Sequence, residues 1–435
     1  MHHLRRRQVL RRAALATGTA GALGASATAG CASPVPGGPP GDLPAPFTRL
    51  AHAGSYDPDG TWPMAGHDAA RSGRADTPVP TGDVDVAWLR WAKTGSVRAH
   101  SPVVGPRWVY FGYAWEPPDR DERRVHLAAF DARTGERRLD RRVGTGDIVG
   151  LALAGDTPLV LTGDPAANGG PTMTAVDTDR NALSRVDLPP ITGPPAVRDG
   201  VCYLASRDED NPGTLADSAV YAVEPDGNQL WRAPLLGPAV TAPCTDGETV
   251  YVGLQGGVAA VDLAAGEERW VRWLDVLLDG EAGEFVGGTP TVVDGRLYVP
   301  GSGRVTALDA ADGTLDWTST VGEYGELSVA VADGVVYAGH FVALDAASGD
   351  ERWRADDLRL EGLPAAGADG TAVVGTRGAV TAVDGPASRP WTVEYEVPET
   401  DSFPLTPMYP SVALAHGMCY LGLADGRLYA IGATG

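Results

Sequence analysis

A motif that recurs along the chain constrains the fold more than any other feature. It reads Ala-x-Asp, three residues, Gly, three residues and Trp, and full copies run from Ala260, Ala307 and Ala343. Degenerate or shortened copies of the motif begin at Ala129, Ala175, Ala222 and Ala382. A unit repeated about every 40 residues cannot bury its apolar face alone, so successive copies must pack against one another.

A second element precedes each copy, an Asp-Gly pair between alternating apolar residues. It is clear at 199–200, 246–247, 294–295 and 333–334, and weaker versions at 104–105, 154–155, 369–370 and 416–417 bring the count to eight. Asp-Gly in this setting is typical of a β-hairpin. The sequence therefore predicts an all-β fold, an eight-bladed β-propeller of four-stranded antiparallel blades, whose strands we name A to D in chain order.

The last copy ends at the C-terminus, just where its strand D should begin. An alternating segment that ends in Trp, Val84–Trp88, lies near the other end of the chain with no strands A to C before it. We expect it to be strand D of the last blade, so that an N-terminal strand closes the ring and removes an open sheet edge. Each strand-D Trp should lie flat against the neighbouring blade, with its indole N–H hydrogen-bonded.

The first thirty residues form an export signal rather than part of the fold. Arg6 and Arg7 fit the twin-arginine pattern, and the mild apolar run after them is a poor permanent membrane span. The segment Thr28 to Cys31 resembles a lipoprotein cleavage box, although Thr28 stands where Leu is usual. A lipid on Cys31 would anchor the mature protein to the extracytoplasmic face of the cell membrane; the alternative is a secreted, soluble product.

Residues 31–61 are rich in Pro and Gly and predict a tether. No comparable break in composition follows, so residues 62–435 are expected to form one folded body, the propeller.

The charge of the chain excludes several classes of partner. With 56 acidic and 35 basic residues the formal net charge is -21, and Lys93 is the single lysine. Such a surface repels nucleic acid and anionic lipid headgroups. Acidity with so little lysine is typical of a halophile-like surface or of a GC-rich genome.

The blade motif and the segment from Trp62 to Gly73 resemble the pyrroloquinoline-quinone-type repeat propellers, over almost all of residues 62–435. That family has two functional branches. Quinoprotein alcohol dehydrogenases carry a bound quinone, Ca²⁺ and a catalytic Asp, whereas shorter, cofactor-free members are similar to the lipoprotein scaffold of the outer-membrane β-barrel assembly machinery. The fold does not choose between them.

The residues favour the cofactor-free branch. The adjacent cysteine pair of many quinoprotein dehydrogenases is missing, since Cys202, Cys244 and Cys419 are scattered; we expect buried thiols, with a bridge between Cys202 and Cys244 as the alternative. The acidic run 208–213 resembles a calcium loop but has Pro212 at a ligand position. We therefore expect no cofactor, no metal site and no catalytic residue; the alternative is a quinone- or metal-dependent oxidoreductase.

Loop lengths indicate where a partner binds. The A–B and C–D turns are short and share one face of a propeller, whereas the long excursions lie in B–C and D–A connections on the opposite face, which we call the loop face. Binding residues concentrate on such loops. The candidates are four aromatic residues and two acidic ones that would favour a basic protein partner at the cell envelope: Trp115, Phe285, Tyr395, Phe403, Asp208 and Asp210. The alternative is that these loops only cover the central opening.

The lipid anchor can be tested by one substitution. We expect Cys31→Ser to move the protein from the membrane fraction to the soluble exported fraction, because the thiol is the attachment atom for the lipid. Replacing Arg6 and Arg7 with Lys is the control for the export step and should hold the protein inside the cell. Membrane retention of the exported Ser variant, measured by fractionation and immunoblotting, would contradict the anchor.

Overall fold

The computed structural model describes the greater part of residues 60–433. The described ranges are 47–48, 60–93, 97–117, 122–163, 170–180, 182–207, 218–274, 286–301, 303–322, 328–339, 341–358, 362–376, 378–395 and 412–433. All of them belong to one compact unit that comprises residues 36–435. Within these ranges no helix is long and apolar enough to cross a membrane.

The strands form eight antiparallel sheets, one for each predicted blade. In blade 1, strand A is split into Val97–Ala99 and Val103–Val104. Strands B to D of this blade are Trp108–Trp115, Arg124–Asp131 and Arg137–Thr145. Blade 2 contains Asp147–Ala154, Thr157–Gly163, Thr172–Asp177 and Ala182–Asp187. Blade 3 contains Ala196–Arg198, Val201–Ser206, Ala219–Val223 and Gln229–Pro234. Blade 4 contains Cys244–Thr245, Thr249–Leu254, Gly257–Asp262 and Glu268–Trp273.

The second half of the chain repeats the same order. Blade 5 contains Thr291–Val293, Arg296–Gly301, Arg304–Asp309 and Leu315–Thr320. Blade 6 contains Val329–Ala332, Val335–Ala338, Val342–Asp345 and Glu351–Arg354. Blade 7 contains Ala365–Ala366, Ala372–Thr376, Ala379–Val383 and Thr392–Glu394. Blade 8 contains Val412–Ala415, Met418–Gly422, Arg427–Ala433 and, from the N-terminal side, Val84–Trp91.

The N-terminal strand pairs with the C-terminal one along its length. Val84 lies opposite Ala433 and Trp91 opposite Arg427, so Val84–Trp91 supplies the strand D that the last repeat lacks. A further two-residue strand, Phe47–Thr48, pairs with the outer edge of Val84–Trp91 and gives this sheet a fifth strand. Phe47–Thr48 falls in the segment that composition assigns to the tether, where no periodic pattern marks a strand.

Strand A is innermost in each blade and strand D is outermost. The first strands of neighbouring blades contact one another around the ring. Strand A of blade 6 is buried throughout, whereas strand D of blade 2 is mostly exposed. The apolar core therefore consists of layers between adjacent blades, as expected for a propeller.

The recurring Asp and Gly shape the turn between strands C and D. In blade 4, the Asp262 Oδ1 atom accepts hydrogen bonds from the backbone N–H groups of Ala264 at 3.0 Å and Ala265 at 2.7 Å. Gly266 follows with a φ of +68°, a conformation that costs L residues free energy. In blade 6, a hydrogen bond from Arg352 and two from the backbone lower the pKa of Asp345 to about 2.

The strand-D tryptophans of blades 3, 4, 5 and 8 join each of these blades to the one that follows. Their Nε1–H groups donate to the carbonyl of the residue after the turn Asp of the following blade: Trp231 to Leu263 at 3.0 Å, Trp270 to Ala310 at 3.2 Å, Trp317 to Ala346 at 3.2 Å and Trp88 to Ala132 at 3.1 Å. The prediction that this N–H would be satisfied is confirmed at these four interfaces. Blade 1 has Leu139 at the same position, so its contact with blade 2 lacks this bond.

The same contact continues across the two ends of the chain. Trp391 of blade 7 donates to the carbonyl of Pro80 at 2.7 Å, just before Val84–Trp91 begins. Trp88 in that strand then bonds to Ala132 of blade 1. Pro80 thus accepts the bond that a residue of the C–D turn accepts at the internal interfaces.

Residues 60–79, the axial segment, lie inside the ring of first strands. Their backbone exchanges hydrogen bonds with Val104 of blade 1, Leu153 of blade 2, Thr245 of blade 4, Val292 of blade 5, Val331 of blade 6 and Ala366 of blade 7. Arg71 reaches blade 3, where its guanidinium donates to the carbonyls of Pro194 and Pro195, both at 2.9 Å. The partners of the segment's backbone lie at the ends of the first strands, next to their A–B turns, so the segment occupies the end of the central channel opposite the loop face.

Two glycines separate the effect of crowding a strand-D Trp ring from the free energy that an L residue costs at positive φ. Gly349 and Gly295 both have a φ of +75°, but a Cβ on Gly349 would lie 2.5 Å from the Trp317 ring, whereas a Cβ on Gly295 would meet nothing within 4 Å. We expect Gly349→Ala to lower the free energy of unfolding by about 1–3 kcal/mol more than Gly295→Ala, the range for overpacking. Equal losses in chemical denaturation would show that the Trp contact tolerates the methyl group.

Candidate functional site

Two of the predicted partner-binding residues lie on the same side of the propeller. Trp115 ends strand B of blade 1, and Tyr395 directly follows strand D of blade 7. In an antiparallel blade the end of strand B and the end of strand D share one side. The loop face predicted from loop lengths therefore carries both residues.

Trp115 is half-buried and lies beneath two cations. The Lys93 Nζ atom is 4.3 Å from the centroid of its ring, and the Arg124 Cζ atom is 6.0 Å from it. Cation–π contacts of this kind contribute about 0.5–1 kcal/mol at exposed sites. The single lysine of the chain is thus placed on the aromatic ring that sequence reasoning singled out.

Tyr395 is held by its neighbours more firmly than an isolated surface aromatic residue. Its hydroxyl donates to the carbonyl of Thr376 at 2.6 Å, and its ring centroid lies 6.0 Å from that of Tyr429. The Tyr429 hydroxyl accepts a hydrogen bond from Arg427 at 3.1 Å, and the Arg427 guanidinium lies 5.5 Å from the Trp91 ring. Packing fixes the rings before any partner binds, which reduces the entropy lost on binding.

These groups form one continuous cluster. Because the Ala92 N–H donates to the Gly426 carbonyl at 2.8 Å, Lys93 lies beside the turn that carries Arg427. We name the set the loop-face cluster: Trp91, Lys93, Trp115, Tyr395, Arg427 and Tyr429. Trp115 and Tyr395 were predicted from the sequence. The basic residues Lys93 and Arg427 follow other strands and turns and share no motif with these two aromatic residues.

The remaining predicted site residues lie outside the described residues. They are the two aromatic and two acidic candidates of the long loops, together with the export and lipidation residues: Phe285, Phe403, Asp208, Asp210, Arg6, Arg7 and Cys31. Their proposed roles stay predictions.

A polar cleft lies next to the loop-face cluster, between blades 1 and 2. Its volume is about 1090 Å³, and its lining includes Glu122, Arg123 and Arg142 of blade 1 and Thr172 and Arg185 of blade 2. No sequence motif predicts it, because its walls come from strand ends of two separate repeats.

The residues in the central channel decide whether it can hold the quinone implied by the family resemblance. The axial segment packs closely there. A Cβ on Gly60 would lie 2.5 Å from the backbone nitrogen of His416, and a Cβ on Gly73 would lie 2.7 Å from the Ala330 Cβ. Arg71 donates to the carbonyls of Ala65, Pro194, Pro195 and Pro243, and its burial lowers its pKa to about 10. These residues leave no space for a quinone at that end of the axis.

Within the ranges that the structure describes, no group of three or more His, Cys, Asp or Glu residues is placed to hold an ion. The acidic run 208–213, which resembles a calcium loop in sequence, lies outside these ranges.

Comparison with known proteins places the chain in a family. A family model described as "Outer membrane protein assembly factor BamB" matches residues 170–276 and 254–402, which together make up more than half of the chain. No curated protein matches the chain significantly by sequence.

Solved structures resemble the protein in both functional branches. BamB from Moraxella catarrhalis is 18% identical, with a TM-score of 0.51, over 74% of this chain and 93% of that one. A europium-containing methanol dehydrogenase is 14% identical, with a TM-score of 0.64, over 87% of this chain and 98% of that one. A quinohemoprotein alcohol dehydrogenase, ADHIIG from Pseudomonas putida HK5, is 13% identical, with a TM-score of 0.62, over 87% and 81%.

At these identities the structural likeness shows the fold alone, and the family model carries the assignment. With its eight four-stranded blades and their recurring Asp, Gly and Trp contacts, the chain belongs to the pyrroloquinoline-quinone-like repeat propeller family that the BamB model represents.

Proposed function

We propose that the protein is a non-enzymatic scaffold that binds another protein at the cell envelope through its loop face. It is exported by the twin-arginine route and anchored by a lipid on Cys31 at the extracytoplasmic face of the membrane. It needs no cofactor. The matching family model, described as an outer membrane protein assembly factor, supports this assignment.

The occupied end of the central channel is the observation that carries the proposal. A propeller offers a ligand one enclosed space that all blades share, the channel at its axis. Here residues 60–79 occupy the end of that space opposite the loop face, where they hydrogen-bond to the surrounding first strands. Surfaces for recognition are therefore left to the loops and turns at the two faces.

The cysteines are placed for packing rather than for redox chemistry. Cys202, Cys244 and Cys419 are free and buried, each on a different strand. Burial raises the pKa of Cys202 to about 12 and raises that of Cys244 and Cys419 as well. Since the thiolate is the reactive form, these thiols are expected to be inert near neutral pH.

The alternative function is a quinone- or metal-dependent oxidoreductase, and the likeness to the two dehydrogenase structures favours it. Both functions use the same fold, so a ligand-binding experiment is needed to separate them.

Adding the implied cofactor separates the two functions directly. We expect purified protein incubated with pyrroloquinoline quinone and Ca²⁺, then desalted, to show no quinone absorption band and no retained calcium, because the axial segment occupies one end of the channel. The Arg71→Ala variant, which frees space at the axis, is incubated and measured alongside the parent protein. Stoichiometric quinone in the parent protein, with alcohol-dependent dye reduction, would overturn the non-enzymatic assignment.

The partner-binding face can be tested with two tryptophans on one strand. Trp115 and Trp108 are the two ends of strand B in blade 1, both are half-buried, and each has a cation over its ring, Lys93 at 4.3 Å and Arg107 at 4.6 Å. We expect Trp115→Ala to reduce capture of the envelope partner in a crosslinking pull-down by roughly 30-fold, since a central aromatic contact contributes about 2 kcal/mol.

Trp108→Ala is the control, because it removes the same side chain at the opposite face and should leave capture unchanged. Thermal unfolding of both variants reports any loss of stability. Loss of the partner in Trp108→Ala together with full capture by Trp115→Ala would place the binding surface on the turn face instead.

A further inference from the structure

The cleft between blades 1 and 2 opens on the loop face and has walls from both blades. Blade 1 contributes Arg142 to Gly146, at the end of its strand D, together with Glu116, Glu122 and Arg123 of its B–C connection. Blade 2 contributes Asp147, Thr162, Thr172 and Arg185. At about 1090 Å³ the cleft is as large as pockets that hold extended ligands, and much larger than a single ion requires.

One of the three arginines in the cleft is already paired. The Arg123 Nη1 atom lies 2.7 Å and 2.6 Å from the two carboxylate oxygens of Asp147. Arg98 lies 3.4 Å from the same carboxylate. Asp147 is therefore neutralised by its neighbours, and Arg123 is fixed as part of the wall.

The other two arginines are only loosely bound. Arg142 has one ion pair, to Glu122 at a distance of 3.6 Å that is too long for a hydrogen bond. Arg185 donates a single long hydrogen bond, 3.4 Å, to the carbonyl of Val143. A guanidinium carries five N–H donors, so most donors of each side chain make no hydrogen bond to the part of the chain that the structure describes and can bind a ligand.

The two guanidiniums come from different blades and line the same cleft, beside threonine hydroxyls. Planar guanidinium groups bind carboxylates with paired, charge-assisted hydrogen bonds. The lining also carries Glu116, Glu122 and Asp147, so its three arginines and three carboxylates balance, whereas the whole chain has a net charge of -21. An acidic ligand is therefore repelled less at this cleft than by the average surface of the chain.

We infer that this cleft binds an extended peptide segment through carboxylate groups held by Arg142 and Arg185. The inference rests on the proposed function, because the segment would belong to the partner that the loop face binds. It differs from the sequence-based expectation in one respect: at this cleft the partner is acidic, whereas Asp208 and Asp210 favour a basic one.

The experiment uses purified protein and two fluorescein-labelled synthetic peptides, one alternating Glu and Gly and one alternating Lys and Gly. Fluorescence anisotropy at 0.1 M NaCl should show saturable binding of the acidic peptide alone. Binding should weaken at 1 M NaCl, where the Debye length falls from about 10 Å to about 3 Å. Arg142→Gln and Arg185→Gln should each weaken it by about tenfold or more, as expected for a hydrogen bond to a charged group.

Arg138→Gln is the matched control. Arg138 lies on the same strand as Arg142, and the two side chains are similarly exposed, 45% for Arg138 and 49% for Arg142. Arg138, however, pairs with Glu136 at 2.7 Å and does not line the cleft. Its variant should bind the acidic peptide like the parent. No acidic-peptide binding, equal binding of the basic peptide, or unchanged affinity in both cleft variants would overturn the inference.

Partner capture by the same variants distinguishes the two proposals. If Arg142→Gln and Arg185→Gln keep the partner while Trp115→Ala loses it, the cleft inference fails and the loop-face function stands. If all three keep it, the loop-face function itself fails.

Discussion

The hydrogen bond from a strand-D tryptophan to a turn carbonyl of the next blade is the interaction on which the architecture depends. The Ala346 carbonyl accepts the Trp317 indole N–H at 3.2 Å, the Tyr298 hydroxyl at 3.3 Å and an Arg296 N–H at 3.0 Å. The buried carbonyl is thereby satisfied, while the Trp ring covers the turn Gly. Among the described residues the same bond recurs at five of the eight contacts between neighbouring blades, so a small repeated motif fixes most of the ring.

The ends of the chain depend on the same interaction. Pro80 and Trp88 insert the N-terminal strand between blades 7 and 1 with contacts equivalent to those between internal blades. The segment just before that strand crosses the axis, so blades distant in sequence are joined to one short stretch of backbone. That this arrangement keeps the ring closed against unfolding stays a prediction, as do export and lipid attachment.

Because residues 60–79 occupy one end of the axis and neighbouring blades pack against one another, function is left to the two faces of the propeller. The turn face is built from short turns whose Asp and Gly residues are occupied by backbone hydrogen bonds and Trp packing. The loop face instead combines an aromatic cluster beneath basic side chains with a cleft that has loosely paired arginines. Rigid aromatic groups and charged groups at a cleft supply affinity and selectivity respectively, which is the combination a binding scaffold requires.

The sequence by itself determined the number of blades, the strand order, the contact of the strand-D Trp with the next blade and the pairing of Val84–Trp88 with the last blade. These features follow from local chemistry repeated at a fixed period, so each copy supports the others. Tertiary structure alone decided that residues 60–79 occupy one end of the channel, that Phe47–Thr48 adds a strand, that Lys93 lies on Trp115 and that Arg142 and Arg185 share a cleft. Those contacts join residues far apart in the chain that have no common motif, and only the closed ring brings them together.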